Sequence, residues 1–455
     1  MKHSPQGVPG PKPIPVLGNL LDMAADPLRF FAECAATHGP VVKLRLARNR
    51  ETYLLSRPEH IEFVLGQTQR LFAKGYHHDR ILSMVLGNGL VTSEGDFWLR
   101  QRRLSQPAFH QHRIEQYAAI MSGYAERMIE PWQDGERRNL HADLMQCTME
   151  IAATTLFDVD LRADYAESGR IGEAMDLLLS EYAKQFTSAA RHLLQMLRLP
   201  LPSPGDAALK RSVATLDRII YDIIEDRLKE NRDRGDLLSM LLEARDDDGA
   251  GMSKEQLRDE VMTLFLAGHE TTANALSWTL YLLAKHPEAE AALVAELDRV
   301  LDGRPPAFAD LPRLEYTNAV VKESMRLYPP VWYISREPLE DVTIGGYTLP
   351  AGSEMALSQW VMHRHPDYFE EPDAFRPERW TSAFEKSLPP YVYFPFGAGP
   401  RVCIGKSFAT MESALLLAAI VRKFRIRLDA DHDVRLEASV TLRPKTGIYA
   451  FVTKR

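Results

Sequence analysis

Cys403 lies in the run Phe396-Gly397-Ala-Gly399-Pro-Arg401-Val-Cys403-Ile-Gly405, a glycine-punctuated turn that leads straight into a helical stretch from Lys406 to Phe424. The chain has only three cysteines, and no second ligand-type residue stands at CxxC or CxxxH spacing beside this one. A tetrahedral zinc site is therefore disfavoured. A single thiolate on a large planar cofactor suits the layout better. The three glycines remove side chains where a flat ring must approach the backbone, and glycine permits the positive φ such a turn needs. At a helix start, free N–H groups and the macrodipole lower a thiol pKa, and Arg401 adds positive charge two residues earlier. The plainer alternative is a buried structural cysteine ahead of an ordinary loop-to-helix junction.

A second constraint lies upstream. Ser253-Lys-Glu-Gln256 reads as an N-cap with glutamine at N3, a capping box. Helical periodicity then continues without a proline to His286-Pro287, a length of roughly 45–50 Å at 1.5 Å per residue. Midway comes Ala267-Gly268-His269-Glu270-Thr271-Thr272 in an otherwise apolar run. Gly268 costs a helix about 1 kcal/mol against alanine, so it needs a reason. A threonine-rich polar face, its hydroxyls bonded to the preceding turn, is the plain alternative.

Both segments resemble motifs of the cytochromes P450. The cysteine run is similar to their Phe-Gly-x-Gly-x-Arg-x-Cys-x-Gly haem loop, and Ala267 to Thr271 to their Ala-Gly-x-Glu-Thr. Other stretches agree in order and spacing. Glu323-Ser-Met-Arg326 is similar to the family's Glu-x-x-Arg; alone it would be one of many helix-face pairs, worth a few tenths of a kcal/mol if solvated. Phe375-Arg-Pro-Glu-Arg379-Trp380 follows it, and Trp98-Leu-Arg-Gln-Arg102 resembles the Trp-x-x-x-Arg helix. The resemblance covers essentially the whole chain.

It implies a mainly α fold with a smaller β region, one large haem domain over residues 1–455 that includes a proline-rich segment at 1–20. Cys403 becomes the ligand of haem b (iron protoporphyrin IX), and thiolate ligation pushes electron density toward O–O cleavage. Phe396 and Gly397 flank the ring. The propionates need cationic or N–H partners: Trp98, Arg102, Arg401, Arg336 and Lys74 are the candidates by family position. Thr271 hydrogen-bonds the reacting oxygen and Glu270 helps relay protons. His269 takes no part, since a helix turns it away. Glu323, Arg326 and Arg379 form a structural triad behind the haem loop.

The resemblance further implies an O2-dependent monooxygenase whose electrons come from NAD(P)H through a separate ferredoxin or flavodoxin and its reductase. No flavin, nicotinamide or iron–sulfur motif follows the cysteine helix. Arg100, Arg103, Lys406 and Arg113 are expected to offer a basic patch to an acidic partner. Pocket positions by family placement are Val91 and Leu90, Ile81, Leu82, Val85, Leu86, Leu264, Ala267, Val331, Trp332, Tyr333, Ile334 and Leu442. Nearly all are apolar, with Tyr76, Tyr182 and Tyr333 as polar options, so a small hydrophobic substrate is expected: a terpenoid, fatty acid or steroid-like molecule, hydroxylated or epoxidised. The segment 193–201 reads as a lid or a buried helix end. A peroxide-dependent or hydroperoxide-rearranging enzyme, or a non-catalytic haem sensor, would have less use for Glu270-Thr271.

Length alone would suggest roughly three domains, but no linker, repeat or low-complexity run divides the chain. A net charge of −7 excludes a general nucleic-acid binder. No run of eighteen apolar residues spans a membrane, no secretory leader is evident, and three scattered cysteines speak against a disulfide scaffold. A soluble, bacterial, cytoplasmic monomer is the expectation. Apolar periodicity predicts helices over 58–65, 97–131, 140–157, 168–197, 206–231, 253–285, 287–301, 314–327 and 406–424. Alternation predicts strands over 41–46 and 51–56, with more toward the C-terminus.

Overall fold

Ser253 starts the helix around which the molecule is arranged. In the computed structural model its hydroxyl accepts from Gln256 N at 3.2 Å while Gln256 Oε1 accepts from Ser253 N at 2.8 Å, the reciprocal capping box. The helix runs Lys254–Lys285 and stops before Pro287, which opens the next one. The structure describes residues 7–15, 17–47, 50–68, 70–75, 82–109, 111–160, 177, 204–230, 232 and 234–455. Apart from residue 177, the helix predicted at 168–197 lies outside them, as do the 193–201 segment, Tyr76, Ile81 and Tyr182.

The helices that matter to the site are α1 (Pro27–His38), α2 (Pro58–Gly66), α3 (Gly95–Ser105), α4 (Gln111–Ile129), α5 (Leu140–Phe157), α6 (Pro204–Glu230), α7 (Leu237–Glu243), α8 (Lys254–Lys285), α9 (Pro287–Leu301), α10 (Glu315–Leu327) and α11 (Lys406–Lys423). Most match the apolar periodicity to within two residues. The run predicted over 97–131 does not. It splits into α3, a 3-10 turn at Gln106–Phe109 and α4, because Pro107 has no N–H to give and its ring clashes with the turn before it.

The strands are β1 (Val41–Ala47), β2 (Arg50–Leu55), β3 (Phe72–Lys74), β4 (Glu136–Asn139), β5 (Ile334–Pro338) and β6 (Val342–Ile344). After them come β7 (Tyr347–Leu349), β8 (Glu354–Leu357), β9 (Phe424–Leu428), β10 (Leu436–Ala438), β11 (Leu442–Pro444) and β12 (Tyr449–Lys454). The main sheet has the order β1-β2-β8-β5-β3, antiparallel except for the β2–β8 pair. At its far edge Lys74 of β3 stands directly opposite Arg336 of β5.

Two apolar clusters share α8. Its N-terminal part (Leu257, Val261, Leu264, Phe265) packs with Leu216, Ile220 and Ile224 of α6 and with Ala152 and Leu156 of α5. Its C-terminal part (Ala273, Leu276, Trp278, Leu280) packs with Met121 of α4, Val320 of α10 and Leu415 to Ile420 of α11. Each fully buried side chain of this size contributes about 1.5–3 kcal/mol, so both ends of α8 are firmly fixed. The Ala-Gly-His-Glu-Thr stretch lies at the junction between the clusters. Among the described residues, no helix is long and apolar enough to cross a membrane.

Candidate active site

The cysteine loop is closed by backbone bonds: Gly397 N to Phe394 O at 2.9 Å, Cys403 N to Phe396 O at 2.9 Å and Val402 N to Gly399 O at 3.1 Å. Gly399 has φ +68°, and a Cβ there would lie 2.3 Å from Leu65 O at the end of α2, so only glycine fits. Gly397 also has positive φ, but a Cβ on it would meet nothing within 4 Å. The loop is thus packed on one side and open on the other. Cys403 exposes its thiol on the open side, and Phe396 and Gly397 are half-buried beside it. Burial of the surrounding loop pushes the thiol pKa up, against the lowering influence of the Gly405 N–H, Arg102 and Lys406. The lowering expected at a helix start is present but is outweighed by desolvation.

On α8, Leu264 and Phe265 are buried, yet Ala267 is exposed and Gly268 and Thr271 are half-buried. A Cβ on Gly268 would meet nothing within 4 Å. Ile404, next to the thiol, packs against the cluster that holds Leu264 and Phe265, which sets the cysteine loop beside this opening. Thr271 Oγ1 donates to Ala267 O at 2.8 Å. Glu270 points elsewhere. It is buried, and its Oε1 accepts from Thr441 Oγ1 at 2.7 Å. Burial raises its pKa, opposed by Thr441, Arg443 and Asn274. His269 is buried against Phe265 with its Nδ1 3.1 Å from Phe265 O, and burial pushes its pKa down to about 4, so it stays neutral.

Trp98 is 3% exposed on α3, and the Arg401 guanidinium sits 3.8 Å from its ring centroid. Arg401 also donates to Ser93 O at 2.8 Å and pairs with Glu94 at 2.6 Å. It is therefore tied to the protein, bracing the loop from behind. Arg102, on the same face of α3 as Trp98, donates to Val402 O at 3.0 Å. Lys74 donates its backbone N–H to Glu94 Oε1 at 3.2 Å and its ammonium to Val91 O. Arg336 is buried, with Nη1 donating to Ser335 O at 2.7 Å and Nε to Thr68 Oγ1 at 3.4 Å. Glu94 links the Lys74 and Arg401 groups, and the sequence reading missed it. Thr441 was missed as the partner of Glu270. Neither has a local signal, since each acts across more than a hundred residues or between separate turns.

Glu323 and Arg326 are both 0% exposed. Arg326 donates from Nε and Nη2 to the two oxygens of Glu323 at 2.9 Å each, and Arg379 Nε donates to Oε1 at 3.0 Å. Trp380 Nε1 adds a bond to Oε2 at 2.8 Å. Arg326 also reaches His363 O and Ala374 O at 2.9 Å, and His363 Nε2 accepts from Phe394 N at 3.0 Å. The triad therefore connects to the cysteine loop through three hydrogen-bonded steps, the last being Gly397 N to Phe394 O.

The pocket positions divide. Leu86 and Leu264 share one buried cluster; Val91 is 37% exposed, and Val331 is half-buried. Trp332 and Leu442 correct the expectation. Both are 0% exposed, packed with Phe31, Val42 and Leu44 of α1 and β1, and Trp332 Nε1 donates to Ser439 O at 2.8 Å. Successive side chains of an extended segment point to opposite sides, so Trp332 turns into the core while Val331 and Tyr333 on either side stay half-buried. The basic patch is also altered. Arg100 is held by Asp246 at 2.6 Å and by Gly251 O at 2.9 Å, and Arg103 stands 3.8 Å from Asp247. Lys406 remains exposed, and the side chain of Arg113 lies outside the described residues.

Among the described residues no group of three His, Cys, Asp or Glu side chains is arranged to hold a metal ion. The donor set fits a flat, dianionic cofactor instead: an open thiol, open space over Gly397 and Gly268, and cations at Arg102, Arg336 and Lys74. The chain belongs to the cytochrome P450 family, whose model matches residues 8–451. It is a cytochrome P450 monooxygenase, with haem iron as cofactor and dioxygen as co-substrate. It is 40% identical over 418 residues to cyclooctatin synthase of Streptomyces melanosporofaciens, covering 92% of this chain and 89% of that one. It is 37% identical over 420 residues to cyclooctat-9-en-7-ol 5-monooxygenase of the same organism, again 92% and 89%. Among solved structures it resembles the cytochrome P450DA haem domain, with a TM-score of 0.88, 28% identity and 98% of each chain covered.

Proposed function

We propose that this monooxygenase hydroxylates a terpenoid, with Cys403 as the sole protein ligand of its haem. The observation that carries the ligand assignment is the open thiol of Cys403 beside the open stretch of α8. Haem held by a thiolate supplies the cleavage of dioxygen. The protein's own side chains position, shield and deliver protons.

Phe396 and Gly397 would hold the haem beside Cys403. Arg102, Arg336 and Lys74 would hold its propionates, with Trp98 and Arg401 supporting Arg102's helix and the loop. Burial holds Glu270 toward its protonated form, so its carboxyl is a proton source on the far side of α8, and Thr441 fixes its Oε1. Thr271 holds its hydroxyl on Ala267 O; turning it toward the substrate side gives up one internal hydrogen bond, worth about 1 kcal/mol. Leu86, Val91, Leu264 and Val331 exclude water from the reacting carbon.

The terpenoid assignment draws on two supports. Among the described residues the side chains of the site wall, Leu86, Leu90, Val91, Leu264 and Val331, are apolar. One relative, by its name, acts on an unsaturated cyclic alcohol. Electrons come from NAD(P)H through a ferredoxin or flavodoxin and its reductase, which approach the Cys403 side, where Arg103 and Lys406 are exposed. The protein works as a cytoplasmic monomer, a single domain over 1–455.

The test is turnover with a bacterial ferredoxin and its reductase against panels of polycyclic terpenoids, fatty acids and steroids, under isotopically labelled dioxygen. Terpenoid products with one labelled oxygen are expected. Preferential conversion of fatty acids would overturn the substrate assignment.

A further inference from the structure

Glu260 lies seven residues, two helical turns, before Ala267 on α8, so it shares a face with Ala267 and with Leu264 between them. It is 0% exposed. One carboxyl oxygen, Oε2, accepts from Leu90 N at 3.1 Å. The other, Oε1, is buried with no hydrogen-bond partner among the described residues, and so is Thr263 Oγ1 one turn on. Most buried polar atoms in folded proteins are satisfied, so two orphans three residues apart on one helix call for an explanation.

The surrounding structure is tightly built. Asp259 accepts from Asn88 N at 2.7 Å. A Cβ on Gly87 would fall 2.0 Å from Asp259 Oδ1, and one on Gly89 would fall 2.2 Å from Thr263 Oγ1. The 87–90 turn is therefore pressed onto residues 259–263, and the same turn carries the apolar wall of Leu86, Leu90 and Val91. Glu260 and Thr263 thus lie at the root of that wall, with one carboxyl oxygen and one hydroxyl unused.

We propose that Glu260 and Thr263 form a polar anchor for a hydroxyl group of the substrate, whose oxygen accepts from the Glu260 carboxyl at Oε1 and whose proton is donated to Thr263 Oγ1. This inference rests on the terpenoid reading and narrows it: the substrate is an alcohol, so an earlier hydroxylation or a water-terminated cyclisation must supply it. Glu260 and Ala267 are separated by about 10 Å along the helix, so oxidation falls on a carbon remote from the existing hydroxyl. Burial and the neighbouring Asp259 raise the Glu260 pKa to about 8, against the lowering influence of Leu90 N–H and Lys74. A neutral carboxyl suits an alcohol better than an ammonium group.

The test measures binding to the haem-loaded protein by the Soret shift that ligand entry causes. Three matched probe pairs are used: cedrol and cedrane, cholestanol and cholestane, 1-dodecanol and dodecane. The readout is the ratio of alcohol to hydrocarbon affinity, expected to be about tenfold for one buried hydrogen bond. Glu260→Leu and Thr263→Val should bring the ratio close to one, while Glu260→Gln, which keeps a donor and an acceptor, should preserve it. If Glu260→Leu does not load haem, the other two variants decide. A preference confined to the dodecyl pair would support the anchor and overturn the terpenoid reading. No preference in any pair, or an undiminished one in the loaded Leu and Val variants, overturns the anchor.

Discussion

The Arg401 guanidinium lies 3.8 Å from the centre of the Trp98 ring, and its other side is paired with Glu94. One arginine thus ties the cysteine loop to the helix that carries Arg102. Its side chain is 3% exposed, so protein groups, Glu94 and Ser93 O among them, replace the water it has lost.

Glu94→Ala should therefore leave a buried cation without its carboxylate, a loss on the order of 1–3 kcal/mol. Haem should transfer faster to excess apomyoglobin and the melting temperature should fall. Trp98→Phe keeps a ring under the guanidinium and should cost less, about 0.5–1 kcal/mol. Equal haem-transfer rates in Glu94→Ala and the unmodified protein would show that the pair does not secure the loop.

Glu323→Ala removes the shared acceptor of Arg326, Arg379 and Trp380. Breaking a buried ion pair costs about 3–5 kcal/mol, against a total stability of about 5–15 kcal/mol. Little soluble, haem-loaded protein should accumulate. Arg102 is only half-buried, so Arg102→Ala should fold, and it should lose haem more readily if Arg102 holds a propionate. Full haem occupancy in soluble Glu323→Ala, with activity alone reduced, would contradict a structural role for the triad.

Thr271→Ala loses one hydroxyl and the bond to Ala267 O, so folding and substrate binding should change little. Product formed per NAD(P)H consumed should fall several-fold, with hydrogen peroxide making up the difference. Unchanged coupling would take Thr271 out of the proton path.

Much of this was legible in the sequence because the signals are local. The capping box at Ser253, the glycines around Cys403 and the spacing of Glu323 and Arg326 each state their geometry within a few residues. What was illegible depends on distant partners. Nothing near Glu270 indicates Thr441, nothing near Arg401 indicates Glu94, and the alternation that turns Trp332 into the core could be fixed only once its neighbours in α1 and β1 were in place. The acidic stretch at 246–248 likewise gave no hint that it folds back on Arg100.

Stability should pass through a maximum as pH varies. His141 and His269 are held neutral by burial, their pKa values pushed down to about 4. Between about pH 4 and 6.5 the unfolded chain binds protons that the native one refuses, so stability rises with pH there. Glu260, with its pKa raised to about 8, retains in the native state a proton that the unfolded chain has lost. Stability therefore falls as pH rises from about 4.5 to 8, by a few kcal/mol from this group, with buried Glu270 and Glu412 raised in the same direction. Melting curves across pH 4–9 should show Glu260→Gln flattening the falling limb and steepening the rise between about pH 4.5 and 6.5, where the two windows overlap. An unchanged falling limb would mean that Glu260 is ionised in the native protein.

The most direct test of the whole account is the absorption spectrum of the reduced protein under carbon monoxide. With Cys403 as the ligand, the Soret band should take the red-shifted position of a thiolate-held haem, and Cys403→Ser should abolish it. A band at the position given by histidine ligation in the unmodified protein, or a red-shifted band that survives Cys403→Ser, would contradict the assignment of Cys403.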